Sequence, residues 1–189
     1  MNTEVIIAMD EKTKKSFSEL ESDNKTKRYE AYMNILDITK NKIDWAYAVW
    51  DQLIDDLTNS DAHKRSRAAQ FLSHLAISDP ENRILYDFPA VWKVTKDEKF
   101  VTARHSLQAI WRVGLAGSKQ KNLVVDHLVE RYKNCLHEKN YTLIRFDIIQ
   151  GLKNLYQETN DESIKEKAIQ LIDLEKDQKY QKKYASVWK

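Results

Sequence analysis

The sequence predicts an all-α protein, a right-handed stack of about four helical hairpins followed by a C-terminal helix. Three observations support this class. The 189 residues include only 3 Gly and 2 Pro, too few for strands joined by tight turns. Apolar residues make up 42% of the chain, which is enough for a continuous core. One segment with helical apolar spacing recurs along the chain.

The recurring segment starts at an arginine, with small or apolar residues three, seven and usually ten positions later. These offsets place the side chains on one face of a helix. The starting arginines are 37, 39 and 41 residues apart. We call them the arginine ladder: Arg28, Arg65, Arg104 and Arg145.

A second apolar stripe ends eight to ten residues before each ladder arginine and predicts the partner helix of each hairpin. A helix of about 15 residues with one apolar face is not stable alone in water, so each hairpin must bury its stripe against the next. We therefore expect one domain over residues 10–189, with residues 1–9 as a disordered or capping N-terminus.

Local signals place some of the helix boundaries. Ser60 or Asp61 is expected to cap the second helix of one hairpin, because either side chain can accept hydrogen bonds from first-turn amides. Pro89 lacks an amide donor and predicts a helix break near Asp87. The charged stretch Glu175–Lys189 is predicted to form a terminal helix.

One segment carries a resemblance to a known repeat family. Leu53–Leu75, LIDDLTNSDAHKRSRAAQFLSHL, has an apolar helix end, an Asp in the turn, then an Arg followed by Ala and Leu at fixed steps. It resembles a HEAT repeat, and the other three segments resemble it less closely. As a whole the chain resembles the small stand-alone bacterial HEAT-like proteins, which have no assigned activity. The resemblance implies a right-handed α-solenoid, an armadillo/HEAT-like superhelix.

The arginine ladder allows two interpretations. A stacked row of arginines could grip phosphates or a partner's carboxylates. In HEAT-like repeats, however, this arginine usually pairs with the turn Asp or caps carbonyls, and so ties one hairpin to the next. We prefer the structural role, with Asp23, Asp61 and Asp97 available as partners.

Overall charge and composition narrow the class of partner. The chain has 31 Lys and Arg against 29 Asp and Glu, a net charge of +2, which is too small to attract nucleic acid or an anionic membrane. The apolar stretch Val5–Met9 is too short for a signal-peptide core or a membrane span. A single cysteine, Cys135, allows no intrachain disulfide and fits a reducing compartment. We expect a cytoplasmic protein without a membrane partner.

Catalytic and metal-binding patterns are weak. No two of the five histidines lie three or four positions apart, so one helix cannot offer two imidazoles to a metal. Cys135 lies on an apolar stripe, where a thiol is usually inert. We predict no catalytic residue, no metal site and no cofactor. The histidines are His63, His74, His105, His127 and His137.

One enzyme family with this architecture supplies the alternative. The HEAT-like alkylpurine DNA glycosylases hold DNA in a basic concave cleft lined by aromatic and acidic residues. This sequence departs from them, since Arg112 follows Trp111 and no tryptophan pair precedes an aspartate. The alternative function is a nucleic-acid-binding protein or a glycosylase relative, and a carboxylate such as Asp147 or Asp126 in a deep concave pocket beside a tryptophan would favour the enzyme. A HEAT-like bilin lyase has no support beyond the repeats.

The function that we expect is a non-enzymatic interaction or scaffold module, which binds another protein or peptide along a concave helical face. The candidate contact positions are polar and aromatic residues of the second helices that we expect to be exposed. They are Tyr32, Arg67, His105, Gln108, Arg112 and Asp147.

Overall fold

The computed structural model describes residues 9–189, which form ten α-helices and no strand. The all-α prediction is confirmed, and residues 1–8 of the predicted N-terminal cap lie outside the described part. Short 3₁₀ turns follow α4, α6, α7 and α10. The helices are α1 Glu11–Glu19, α2 Lys25–Ile38, α3 Ala46–Asp56, α4 Ala62–Leu75, α5 Arg83–Val94, α6 Phe100–Ala109, α7 Ser118–Asn134, α8 Tyr141–Thr159, α9 Glu162–Asp173 and α10 Gln178–Ala185.

The helices pair in chain order and stack in two layers. Each odd-numbered helix packs against the next even-numbered one, giving five pairs. Helices α2, α4, α6 and α8 contact one another in sequence, and we call them the inner layer. Helices α3, α5, α7 and α9 do the same and form the outer layer. The four ladder segments therefore all lie in the inner layer.

The predicted apolar stripe forms the core. The residues three and seven positions after each ladder arginine are buried in all four segments. Between them they contribute small and large side chains, so neighbouring inner-layer helices can approach closely. These residues are Ala31, Ile35, Ala68, Leu72, Leu107, Trp111, Ile148 and Leu152.

The structure confirms the predicted cap of α4 but contradicts the predicted break near Asp87. Asp61 is the N-cap of α4, where its carboxylate accepts a hydrogen bond from the His63 amide at 2.8 Å. The break expected near Asp87 is absent, because α5 runs unbroken through Pro89. The Pro89 ring is exposed, while Phe88 and Val91 on either side of it are buried and hold the helix against the core.

Within residues 9–189, no helix has both the length and the apolar content that crossing a bilayer would require.

The tight packing around Gly114 generates a stability prediction. A Cβ on Gly114, in the 3₁₀ turn Ile110–Leu115, would lie 3.0 Å from both Cδ atoms of Leu155, which is fully buried. Gly114→Ala should therefore overpack this contact and lower the free energy of unfolding by about 1–3 kcal/mol. Urea denaturation measures the change.

Gly151→Ala is the matched control, since its Cβ would meet Trp111 only at 3.7 Å. Inside α8 the alanine should raise stability by up to about 1 kcal/mol through helix propensity. Equal effects of the two substitutions would contradict the packing argument.

Candidate partner-binding groove

A groove crosses the inner layer from α2 over α4 to α6. Two adjoining cavities of about 570 and 580 Å³ share Tyr29, Tyr32, Gln70 and His105 as lining residues. A third, of about 360 Å³, continues past Arg112 to the end of α8. We call these three cavities together the inner groove.

Helix α2 gives the inner groove an apolar edge. Tyr29 is 63% exposed and Met33 is 45% exposed, one helical turn apart. Tyr32, beside them, is held to the floor because its hydroxyl donates to Gln70 Oε1 on α4 at 2.6 Å. Burial raises the pKa of Tyr32 above its usual value. The exposed Tyr29 and Met33 therefore form an apolar ledge beside an ordered floor.

Five of the six candidate contact residues lie in the inner groove: Tyr32, Arg67, His105, Gln108 and Arg112. These residues differ in the hydrogen bonds that their side chains make. Arg67 donates to the Leu20 carbonyl at 2.9 Å and to Glu21, tying α4 to the end of α1. The side chains of His105 and Arg112 make no hydrogen bond within residues 9–189.

Asp147 is the one candidate contact residue that lies outside the inner groove. The prediction that its side chain is exposed is wrong. Its side chain is only 3% exposed. Arg104 donates to its two carboxylate oxygens from Nε at 2.7 Å and from Nη2 at 3.2 Å, and Gln108 donates at 3.0 Å. Both donors come from α6 and cover the carboxylate, so it joins α6 to α8 and does not face a partner.

The carboxylates named for the enzyme alternative lie elsewhere. Asp147 lines a pocket of about 270 Å³ that no tryptophan lines. Asp126 shares an open cleft with Trp92 and His127, but this cleft lies in the outer layer between α5 and α7. The Asp126 side chain is 74% exposed. Neither carboxylate is placed in the inner groove.

Three of the four ladder arginines tie one hairpin to another, and Arg65 shows the geometry best. Arg65 binds Asp97 of the next hairpin with two parallel hydrogen bonds, Nε to Oδ2 at 2.6 Å and Nη2 to Oδ1 at 2.9 Å. It also donates to the carbonyls of Asn59 and Ser60 in its own turn. The Arg65 guanidinium holds the pKa of Asp97 below its usual value. Such two-pronged pairs are stronger and more directional than single ones.

The other ladder arginines use partners that the sequence analysis did not name. Arg28 donates to the Ser22 carbonyl, and Arg104 to Asp147 on α8. Arg145 donates from Nη1 to Glu175 at 2.8 Å, and both side chains are 5% exposed. Asp23 and Asp61 accept from no ladder arginine within residues 9–189. Glu175 gave no sequence signal, because it follows α9 outside the repeated pattern.

His74 lies on the floor of the inner groove, and burial changes the pKa of its imidazole. It is 9% exposed, and its Nδ1 lies 3.2 Å from Thr39 Oγ1. Burial, with a contribution from the positive charge of Arg112, lowers its pKa to about 3. The imidazole is therefore neutral at neutral pH and packs as part of the core.

No metal-like cluster of three or more His, Cys, Asp or Glu residues occurs in the described part of the chain. Cys135 is fully buried, and burial raises the pKa of its thiol. A protonated, enclosed thiol is a poor nucleophile. The expectation that the chain is not an enzyme stays a prediction.

Comparisons with known proteins add little. No family model matches the chain, and no curated protein matches it significantly. Among solved structures it is similar to an engineered protein from the Northeast Structural Genomics Consortium, at 15% identity, 95% coverage of each chain and a TM-score of 0.46. A likeness at this level carries no argument, and the HEAT resemblance stays a prediction from the sequence.

The Arg145–Glu175 pair generates a second stability prediction. Glu175→Gln removes the charge that compensates a buried guanidinium and should cost about 3–5 kcal/mol of unfolding free energy. Asp173→Asn, two residues away at an exposed position, is the control and should change stability by less than about 0.5 kcal/mol. Urea denaturation of the two variants measures both values, and a loss near the control's would show that the pair is dispensable.

His74 generates a pH prediction. Its pKa is lower in the folded state than the usual 6.5, so its contribution to stability is complete above pH 6.5 and is lost as the pH falls toward 3. Between pH 7 and pH 5 the loss should be on the order of 2 kcal/mol.

The variant His74→Gln should remove that part of the pH dependence in denaturation curves. His63→Gln, at an exposed position of α4, should retain it. Parallel pH profiles for His74→Gln and the wild-type protein would contradict the assignment.

Proposed function

We propose that the protein is a right-handed α-solenoid of HEAT-like hairpins that binds a peptide segment of another protein along the inner groove, without catalysing a reaction. The repeated buried positions and the two ordered layers support the solenoid part of the proposal. In such an array one helix of each repeat presents side chains along a continuous surface.

One observation carries the binding proposal: the inner groove has an exposed apolar edge and a fixed polar floor. Tyr29 and Met33 expose large side chains on one face of α2, while the Tyr32–Gln70 hydrogen bond holds the floor in place. A groove of this kind can bury a peptide's apolar side chains and keep its orientation fixed. An ordered floor also lowers the entropy cost of binding.

The contacts of the cations favour a protein partner over nucleic acid. Arg65, Arg104 and Arg145 are engaged by carboxylates. Near the groove, Lys64 and Arg67 both pair with Glu21. Phosphate binding would have to break these pairs, so the arginine ladder supplies cohesion and not a surface for DNA. Asp147 and Asp126, the two carboxylates considered for a glycosylase-like mechanism, both line cavities other than those of the inner groove.

Peptides selected from a random displayed library against the protein provide the test. Tyr29→Ser with Met33→Ser should weaken their binding tenfold or more, equivalent to about 1.4 kcal/mol, because the apolar ledge is lost. Tyr86→Ser is the matched control, since Tyr86 is 90% exposed but lies on α5 of the outer layer. Fluorescence anisotropy with labelled peptides measures each affinity.

Two results would contradict the proposal. One is a set of selected peptides that bind the double variant as well as the wild-type protein. The other is micromolar or tighter binding of duplex DNA at about 150 mM salt that Arg67 or Arg112 substitution abolishes, which would favour the nucleic-acid alternative.

A further inference from the structure

We propose that the end of the inner groove around Arg112 is a carboxylate subsite, which takes an Asp or Glu side chain of the bound segment. The source of the carboxylate rests on the proposed function. The presence of an anion-binding position at Arg112 rests on the geometry of this end of the groove alone.

Arg112 differs from every other arginine of the chain. Seven of the eight arginines donate hydrogen bonds to carboxylates or backbone carbonyls within residues 9–189. Arg112 donates none, and its Nε is buried without an acceptor. A buried donor without a partner costs about 1–3 kcal/mol. The terminal Nη1 and Nη2 groups also make no hydrogen bond within residues 9–189 and are not enclosed, so an acceptor in the cavity can reach them.

The environment of Arg112 suits a carboxylate. Its Cζ lies 5.2 Å from the centre of the Trp111 ring, which supports the guanidinium from one side. A guanidinium held in this way keeps its planar fork ready for two parallel hydrogen bonds to a carboxylate. Lys40, Asn154 and Gln157 line the same cavity and can offer further donors. The cavity, of about 360 Å³, has room for a short acidic side chain.

Within residues 9–189, Glu158 is the carboxylate that could occupy this position instead. It lines the same cavity as Arg112, and within residues 9–189 its charge acts on Arg112 without an ion pair closer than 4 Å. The neighbouring Asp37 is engaged by Lys40 at 2.9 Å. The chain thus leaves Arg112 open, with Glu158 as a nearby negative charge that opposes an incoming carboxylate.

The subsite is continuous with the apolar ledge. Tyr29, Met33 and Arg112 line one cavity of about 580 Å³. A segment with an apolar side chain on Tyr29 and Met33 can therefore continue along the floor to Arg112. The partner that fits this surface is an extended or helical peptide with an apolar anchor and an acidic residue next to it.

The first experiment tests the subsite without a partner. The probe is N-acetyl-glutamate, and N-acetyl-glutamine is the uncharged control. In NMR spectra of the whole protein, the Arg112 Nε–H and Trp111 indole N–H signals should shift saturably with the acid and not with the amide. Arg112→Gln should abolish the Trp111 shift, and Glu158→Gln should lower the concentration needed for half-saturation. No shift in the wild-type protein, or equal shifts with both probes, would overturn the subsite.

The second experiment tests the source of the carboxylate with peptides selected as above. Peptides that bind the groove should be enriched in Asp or Glu, and Arg112→Gln should weaken them tenfold or more. Lys119→Gln, at an exposed position on α7, is the control for loss of one positive charge and should leave affinity unchanged. Equal loss in the two variants would show only a bulk-charge effect and would overturn the inference.

The outcomes separate the two proposals. Peptides that need Tyr29 and Met33 but lack acidic enrichment support the proposed function and overturn the carboxylate subsite as part of it. Peptides that are indifferent to Tyr29 and Met33 overturn the proposed function, and the N-acetyl-glutamate titration then decides whether Arg112 binds a carboxylate on its own.

Discussion

The burial of each hairpin's apolar stripe against the next hairpin is the interaction on which the rest of the structure depends. Ala31 and Ile35 on α2, and their counterparts on α4, α6 and α8, are all buried. None of these helices could hide its stripe alone. The inner-layer helices are therefore held side by side, and the inner groove exists because that layer is continuous.

Ion pairs made by arginines of the inner-layer helices also hold the hairpins together. The pairs Arg65–Asp97, Arg104–Asp147 and Arg145–Glu175 each join one hairpin to a later one. A buried ion pair adds little net free energy of folding, because desolvation of the two charges offsets their attraction. Its main effect is to favour the arrangement in which the two charges meet. Since these three guanidinium groups are paired with carboxylates, Arg112 is the exception among the arginines, because its side chain makes no hydrogen bond within residues 9–189.

The sequence predicts the helical class, the repeated segment and its buried positions, because helical periodicity is a local property. Five of the six candidate contact positions line the inner groove, since position within the repeat decides which layer a residue joins, and their contact with a partner stays a prediction. The sequence misplaces Asp147 and misses Glu175, because an arginine's choice of partner depends on distances across hairpins. The break expected at Pro89 is absent because packing of Phe88 and Val91 outweighs the loss of one hydrogen bond.

Native-state hydrogen exchange, resolved by helix, tests the dependence on neighbouring hairpins most directly. If each hairpin is stabilised mainly by the two beside it, amide protection should be highest in α4 and α6 and should fall toward α1 and α10. Equal protection across all ten helices, with every amide exchanging only through global unfolding, would contradict a stack held together by nearest neighbours.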